Sequence, residues 1–149
     1  SMIDSIKKLR EQTGAGIADC QEALSKAAGN IDKAREWLKK KGLDKAASKS
    51  GREVKAGIVE VYSHFGKVGV LVELLCETDF VARTDDFKNL AHELSLQIAS
   101  MNPSSAEELL SQEYIRDNTQ TVDQLIKSVS GKLGENIQVG RFERIALGE

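Results

Sequence analysis

Gly57-Ile58-Val59-Glu60-Val61-Tyr62-Ser63-His64-Phe65-Gly66-Lys67-Val68-Gly69-Val70-Leu71-Val72-Glu73-Leu74-Leu75-Cys76-Glu77 is the stretch on which the fold turns. Val59, Val61, Ser63 and Phe65 alternate with Ile58, Glu60, Tyr62 and His64. After Gly66-Lys67, Val68, Val70, Val72, Leu74 and Cys76 alternate with Gly69, Leu71, Glu73, Leu75 and Glu77. Period two, β-branched residues and a Gly-bearing turn predict a β-hairpin. Both faces carry apolar side chains, so both are expected to be at least partly covered.

The period changes downstream. Thr84 can cap a helix with Asp85 and Asp86 in its first turn, favourable against the helix dipole. Phe87, Leu90, Ala91, Leu94, Ile98 and Met101 make one apolar stripe along it. Asn102-Pro103 ends that helix, because proline disfavours a helical residue before it. Ser105-x-x-Glu108 reads as a capping box opening a short helix through Leu110. Thr121-x-x-Gln124 reads as a second, ahead of Val122, Leu125, Ile126, Val129 and Leu133, and Gly134 stops it. Ile137–Leu147 then predicts a third strand, with a bulge at Gly140 where the apolar parity shifts. The expected class is α+β, a three-stranded antiparallel sheet with helices packed on one face.

Upstream, residues 4–42 read as three short helices. Asp4 or Ser5 starts the first, Thr13-Gly14 ends it, and Gly14-Ala15-Gly16 is a turn. Ile17, Cys20 and Leu24 mark the second, which ends before Gly29. Asn30 or Asp32 opens the third, which carries Ile31, Ala34 and Leu38 and stops at Gly42. A unit of about 40 residues is marginal alone, so it should lean on a neighbour. The expected organisation is a three-helix N-terminal domain over residues 2–42, a basic linker over 43–56 with a helical first half, and an α+β core module over 57–149.

Composition narrows the function classes. The chain has 149 residues, a formal charge of −2 and 40% apolar residues, too many for a disordered chain. Cys20 and Cys76 cannot make a disulfide framework, which suits a reducing compartment. No apolar run approaches the roughly 18 residues that span a membrane, and no signal-peptide run opens the chain. A cytoplasmic protein, or the mature form of an organellar one, is expected. Between residues 39 and 55, Lys39, Lys40, Lys41, Lys45, Lys49, Arg52 and Lys55 stand against Asp44 and Glu53 alone. Such a run can dock on phosphates or simply be a solvated helix end. Few aromatics elsewhere disfavour a dedicated nucleic-acid binder.

The residue types for catalysis are scarce. His64 and His92 are isolated in sequence, and no His/Cys pair has metal-ligand spacing. No nucleophile elbow or phosphate-binding loop is present. Neither metal nor covalent chemistry is expected. The segment that stands out is Thr78-Asp79-Phe80-Val81-Ala82-Arg83, where two large apolar residues sit in a short polar connection. Phe80 can be a plug folded over the helix end. Alternatively it is a wedge, presented on a strand–helix corner to another protein. The exposure of Phe80 separates the two.

Several motifs in order carry a resemblance. Leu9-Arg10-Glu11-Gln12-Thr13-Gly14-Ala15-Gly16, followed by Asp19-Cys20 and Ala23-Leu24, is similar to the opening of the elongation factor Ts family. Gly29-Asn30-Ile31-Asp32-Lys33-Ala34, Trp37-Leu38-Lys39-Lys40-Lys41-Gly42, Thr78-Asp79-Phe80-Val81-Ala82, and Gly134-Glu135-Asn136-Ile137 with Arg141 resemble it too. The resemblance implies a guanine-nucleotide exchange factor for the translational GTPase elongation factor Tu. It implies a ubiquitin-associated-like N-terminal unit docking on the GTPase through Arg10, Ile17 and Ala18. It also implies a wedge in which Asp79 and Phe80 enter near the phosphate and magnesium site, positioned by Thr78 and Val81. No cofactor of its own is implied, since GDP, GTP and magnesium sit on the partner.

The chain departs from that pattern in three places. It carries one copy of the core module, a short form, where long members carry two; a homodimer would cover the face left open. Ile17-Ala18 and Gln21-Glu22 stand where Met-Met and Lys-Lys are usual. The last strand adds Arg141, Glu143 and Arg144, whose partners sequence does not place. Two rivals stay open, an RNA- or peptide-binding module using residues 39–55, and a degenerate enzyme using its acidic pairs.

Overall fold

A computed structural model describes the backbone of residues 1–149 and every side chain outside residues 43–48. The N-terminal helices are α1 (Met2–Thr13), α2 (Ile17–Lys26) and α3 (Ile31–Lys49). Strands β1 (Ala56–His64) and β2 (Val68–Cys76) follow, then α4 (Asp79–Ala82), α5 (Asp85–Met101) and α6 (Ala106–Ser111). A ribbon of β3 (Glu113–Tyr114) and β4 (Asp117–Thr121), helix α7 (Val122–Leu133) and strand β5 (Gln138–Ala146) complete the chain. The fold is α+β, with a three-stranded antiparallel sheet in the order β1-β2-β5. Among the described residues no helix is long and apolar enough to cross a membrane.

The core forms where the two periodicities meet. Val70, Val72, Leu74 and Cys76 of β2 face Phe87, Leu90, Ala91, Leu94 and Ile98 of α5, all buried. Val81, Ala82, Leu109, Val122, Ile126 and Ile137 close the same cluster. Thr84 caps α5 by accepting from the Phe87 N–H, a contact of about 1 kcal/mol. Met101 falls off the stripe: it lies in the last turn and is half exposed. Buried Gln97, which periodicity did not single out, donates to Gln112 and to the Glu113 carbonyl and accepts from the Ile115 N–H. It thereby ties the β3–β4 ribbon, also not anticipated, to α5.

Helices α4 to α7 pack on the inner face, and the outer face stays open. Val59 and Val61 of β1, Leu71 of β2 and Ile145 of β5 are exposed there. The expectation that both faces are covered fails within the single chain. The two arginines of the polar set on β5 find partners. Arg141 pairs with Glu73 at 2.9 Å, and the Arg144 Nε donates to the Ala99 carbonyl at 3.1 Å. Glu143 is exposed opposite Leu71. The bulge falls as expected, between the Val72–Phe142 and Leu74–Val139 pairs. Gly140 has a physical reason to be there: a Cβ would come within 2.8 Å of the Glu73 carboxylate.

The N-terminal helices enclose their own small cluster of Leu9, Cys20, Ala23, Leu24 and Ala34. Helix α1 starts earlier than Asp4, at Met2, and Asn30 caps α3 by accepting from the Lys33 N–H. Gly42 does not stop α3. The helix runs on to Lys49, so the helical first half of the linker is its continuation. Gly42 is instead a notch. A Cβ on Gly131 of α7 would lie 2.5 Å from the Gly42 Cα, so the crossing requires glycine at 131, while a Cβ on Gly42 would make only ordinary contact with Ser128 at 3.5 Å. The reading of Gly134 holds: it ends α7 with φ 78°.

The two capping motifs differ. Thr121 and Gln124 make the reciprocal box. Ser105 accepts from the Glu108 N–H, but the Glu108 carboxylate reaches past it to the Ser104 N–H and hydroxyl. The hairpin turn also shifts by one residue. Phe65 and Gly66 both take positive φ, 52° and 67°, and the Lys67 N–H closes the turn on His64. Both cysteines are free and buried.

Candidate partner-docking site

The corner between β2 and α5 is built from its ends inward. Beyond Cys76 the strand ladder stops, and Thr78 takes an extended conformation (φ −133°) as the cap of α4. The short polar connection is thus one helical turn, Asp79–Ala82. A helical turn rotates about 100° per residue, so residues two apart face opposite sides. Val81 and Ala82 point inward and are buried in the main core, while Asp79 and Phe80 point out. Phe80 is 84% exposed. The plug reading therefore fails for Phe80, and the plugging is done by Val81.

The corner is laced to the α7–β5 junction. Glu135 Oε1 accepts from the backbone N–H of Glu77 (3.1 Å) and Thr78 (3.0 Å), and its Oε2 accepts the Thr78 hydroxyl at 2.7 Å. The Asn136 N–H donates to the Glu77 carboxylate at 2.6 Å. The Asn136 side chain donates to the Arg52 carbonyl at 2.8 Å, and Arg52 stands 3.6 Å from Glu77. Burial pushes the Cys76 thiol up, and its sulfur donates to the Thr78 carbonyl. It is thus a neutral filler behind the corner, not a nucleophile.

The second group lies on the N-terminal helices. Arg10 and Ile17 line a shallow groove with Ile3, Ile6, Lys7 and Glu11. Ala18 is exposed beside them on α2, and Ile17 is 57% exposed. None of residues 78–81 lines that groove. The link between the two groups is indirect: Lys132 of α7 pairs with Asp86 at 3.2 Å, and a Cβ on Gly14 would meet the same Lys132. The α1–α2 turn thus sits against the start of the helix that the Phe80 corner leads into.

Both histidines flank Tyr62, which sequence did not suggest. Tyr62 OH is 2.8 Å from the His64 Nδ1, and the His92 ring stands edge-on to the Tyr62 ring at 6.0 Å. Residues that sequence reading missed are Glu77, Glu135 and Asn136 as the ties of the corner. The Gly134-Glu135-Asn136-Ile137 motif was visible; its long-range partners were not.

Several described cations of the basic run are paired with carboxylates. Lys39 pairs with Asp117, Lys41 with Asp19 and Glu22, Arg52 with Glu77, and Lys55 with Glu53. Lys49 is buried, and Asp44 and Lys45 lie outside the described side chains.

Comparisons with known proteins agree in direction. The family model described as Elongation factor TS matches residues 77–149, which hold the whole corner and its ties. An elongation factor Ts of Fervidobacterium nodosum is 41% identical over 190 residues, covering 97% of this chain and 96% of the relative. One of Thermotoga maritima is 41% identical over 191 residues, covering 99% and 96%. One of Nostoc sp. is 48% identical over 143 residues, covering 95% of this chain but 45% of that longer protein.

Proposed function

Because the chain belongs to the elongation factor Ts family and so serves translation elongation, we propose that it accelerates GDP release from elongation factor Tu, with Asp79 and Phe80 as the wedge. The observation that carries this reading is an 84% exposed phenylalanine on a turn whose inner residues are buried. Exposing a large ring costs solvation that folding alone does not recover. Fixed on an anchored turn, the ring is pre-organised for a pocket elsewhere.

The mechanism is linkage. A protein that binds the nucleotide-free GTPase more tightly than the GDP form weakens GDP by the same factor. A thousandfold weakening takes about 4 kcal/mol, at about 1.4 kcal/mol per factor of ten. Burying one phenylalanine supplies about 1.5–3 kcal/mol. Phe80 therefore needs help from Asp79 and from the groove of Arg10, Ile17 and Ala18, with Thr78 and Val81 holding the turn. No bond is made or broken in the guanine nucleotide, and GDP and its magnesium stay on the partner. This chemistry belongs in the cytoplasm, where translation runs.

The open apolar sheet face supports a homodimer in which a second copy covers Val59, Val61, Leu71 and Ile145. Sedimentation that shows monomer at tens of micromolar would remove that part. The reading as a whole is tested by following fluorescent GDP leaving elongation factor Tu. The intact chain should speed release in a saturable way. A folded chain that leaves the rate unchanged sinks the proposal.

A further inference from the structure

We infer that Glu135 is a positioning residue that sets the pose of the Phe80 wedge; this rests on the exchange function proposed above. Glu77 and Thr78 lie just past the end of β2, where their N–H groups have no strand to pair with. The Glu135 carboxylate receives both N–H groups on one oxygen and the Thr78 hydroxyl on the other. Hydrogen bonds to an ionised acceptor are shorter and stronger than neutral ones, so the carboxylate fixes direction as well as distance.

The consequence passes along a relay. The Thr78 hydroxyl proton is committed to Glu135 at 2.7 Å, which turns an oxygen lone pair toward the Val81 N–H at 3.3 Å. That contact caps the turn carrying Phe80. Glu135 thus acts on the wedge from 57 positions away, through one hydroxyl. It can do so because Gly134 reverses the chain at the end of α7 with φ 78°. Asn136 holds the neighbouring side, donating its N–H to Glu77 and its amide to the Arg52 and Ser50 carbonyls. Glu135, Thr78 and Phe80 all lie outside the buried core. What the carboxylate adds there is orientation.

The test is a cycle of Glu135→Ala, Phe80→Ala and the double variant, each checked for folding by circular dichroism and titrated in fluorescent GDP release from elongation factor Tu. Glu135→Ala should lower the maximal release rate about tenfold, the scale of a small misplacement at a working site. The concentration for half-maximal effect should move little, because the α1–α2 groove is untouched. Glu135→Gln should recover part of the rate, since its carbonyl oxygen still accepts the two N–H groups. The double variant should be no slower than Phe80→Ala alone, because Glu135 works only through that ring. Multiplying losses in the double variant, or an undiminished maximal rate in folded Glu135→Ala, would overturn the inference. If Glu135→Ala does not fold, the cycle is run with Glu135→Gln, whose smaller loss of maximal rate must likewise vanish in the Phe80→Ala background, and an undiminished rate or multiplying losses overturns the inference. No acceleration by the intact chain would instead remove the exchange function itself, so the two failures are distinct.

Discussion

Removing the Phe80 ring separates function from stability in a way few substitutions can. The side chain is 84% exposed and lies outside the main core cluster, so Phe80→Ala deletes no buried contact. Its effect on folding should stay within about 0.5 kcal/mol, and the urea midpoint should hardly move. The effect on exchange is different, because nearly the whole ring remains to be buried on docking. Full burial of a phenylalanine gives about 1.5–3 kcal/mol, which at about 1.4 kcal/mol per decade is about a 12- to 140-fold loss of acceleration. Stopped-flow release of fluorescent GDP from elongation factor Tu measures it, with Phe80→Leu as an intermediate. A loss below about threefold in a folded Phe80→Ala chain would refute the reasoning, because under 1 kcal/mol is too little for a buried wedge. Val81→Ala is the mirror experiment: that side chain is 7% exposed, so the urea midpoint should fall.

Other consequences follow from the packing. Gly131→Ala should destabilise by about 1–3 kcal/mol despite alanine's better helix propensity, since the new Cβ would press on the Gly42 backbone at 2.5 Å; urea unfolding checks it. Phe65→Asn should raise stability by about 1 kcal/mol, because asparagine tolerates the positive φ of 52° that phenylalanine resists; an unchanged or lower thermal midpoint counts against it. The Arg141 guanidinium and backbone N–H hold the Glu73 carboxyl down at about 2. A carboxyl whose folded value lies below its unfolded value of about 4.5 stabilises above 4.5, and that contribution is lost as pH falls toward 2. Arg141→Met should flatten this acid slope in urea titrations between those limits.

What sequence could reach depended on how far a signal had to travel along the chain. The hairpin, the α5 stripe and the Gly140 bulge are local patterns with period two or near four, and they were legible. Gly42 and Gly134 looked alike as helix stops. Gly134 is one, but Gly42 lies inside α3 against Gly131 of another helix, where the close crossing demands glycine at 131, and no local pattern carries that pairing. Glu108 was read as closing on Ser105, yet it bonds one residue further back, at Ser104. The open sheet face is not legible in sequence, because apolar content on both sides of a strand does not say which side the helices choose. At the corner, Phe80 was singled out for its odd setting, but its direction had to come from the structure. Glu135 was invisible as a tie, because a glutamate after a helix-ending glycine is locally unremarkable and its bonds cross 57 positions.

Helix α3 carries a geometric consequence. Ala34 packs into the N-terminal cluster and Gly42 seats on α7, both within one unbroken helix. The two contacts are separated by about 12 Å along the axis and about 80° around it. The N-terminal groove and the Phe80 corner are therefore held in angular phase by a count of residues. One residue inserted between Ala34 and Lys39 would swing the groove by about 100°, while seven would bring it back to nearly the same bearing about 10 Å further out. Spacing in that segment is a dial for orientation, and lengths that keep the phase should be tolerated before shorter ones that break it.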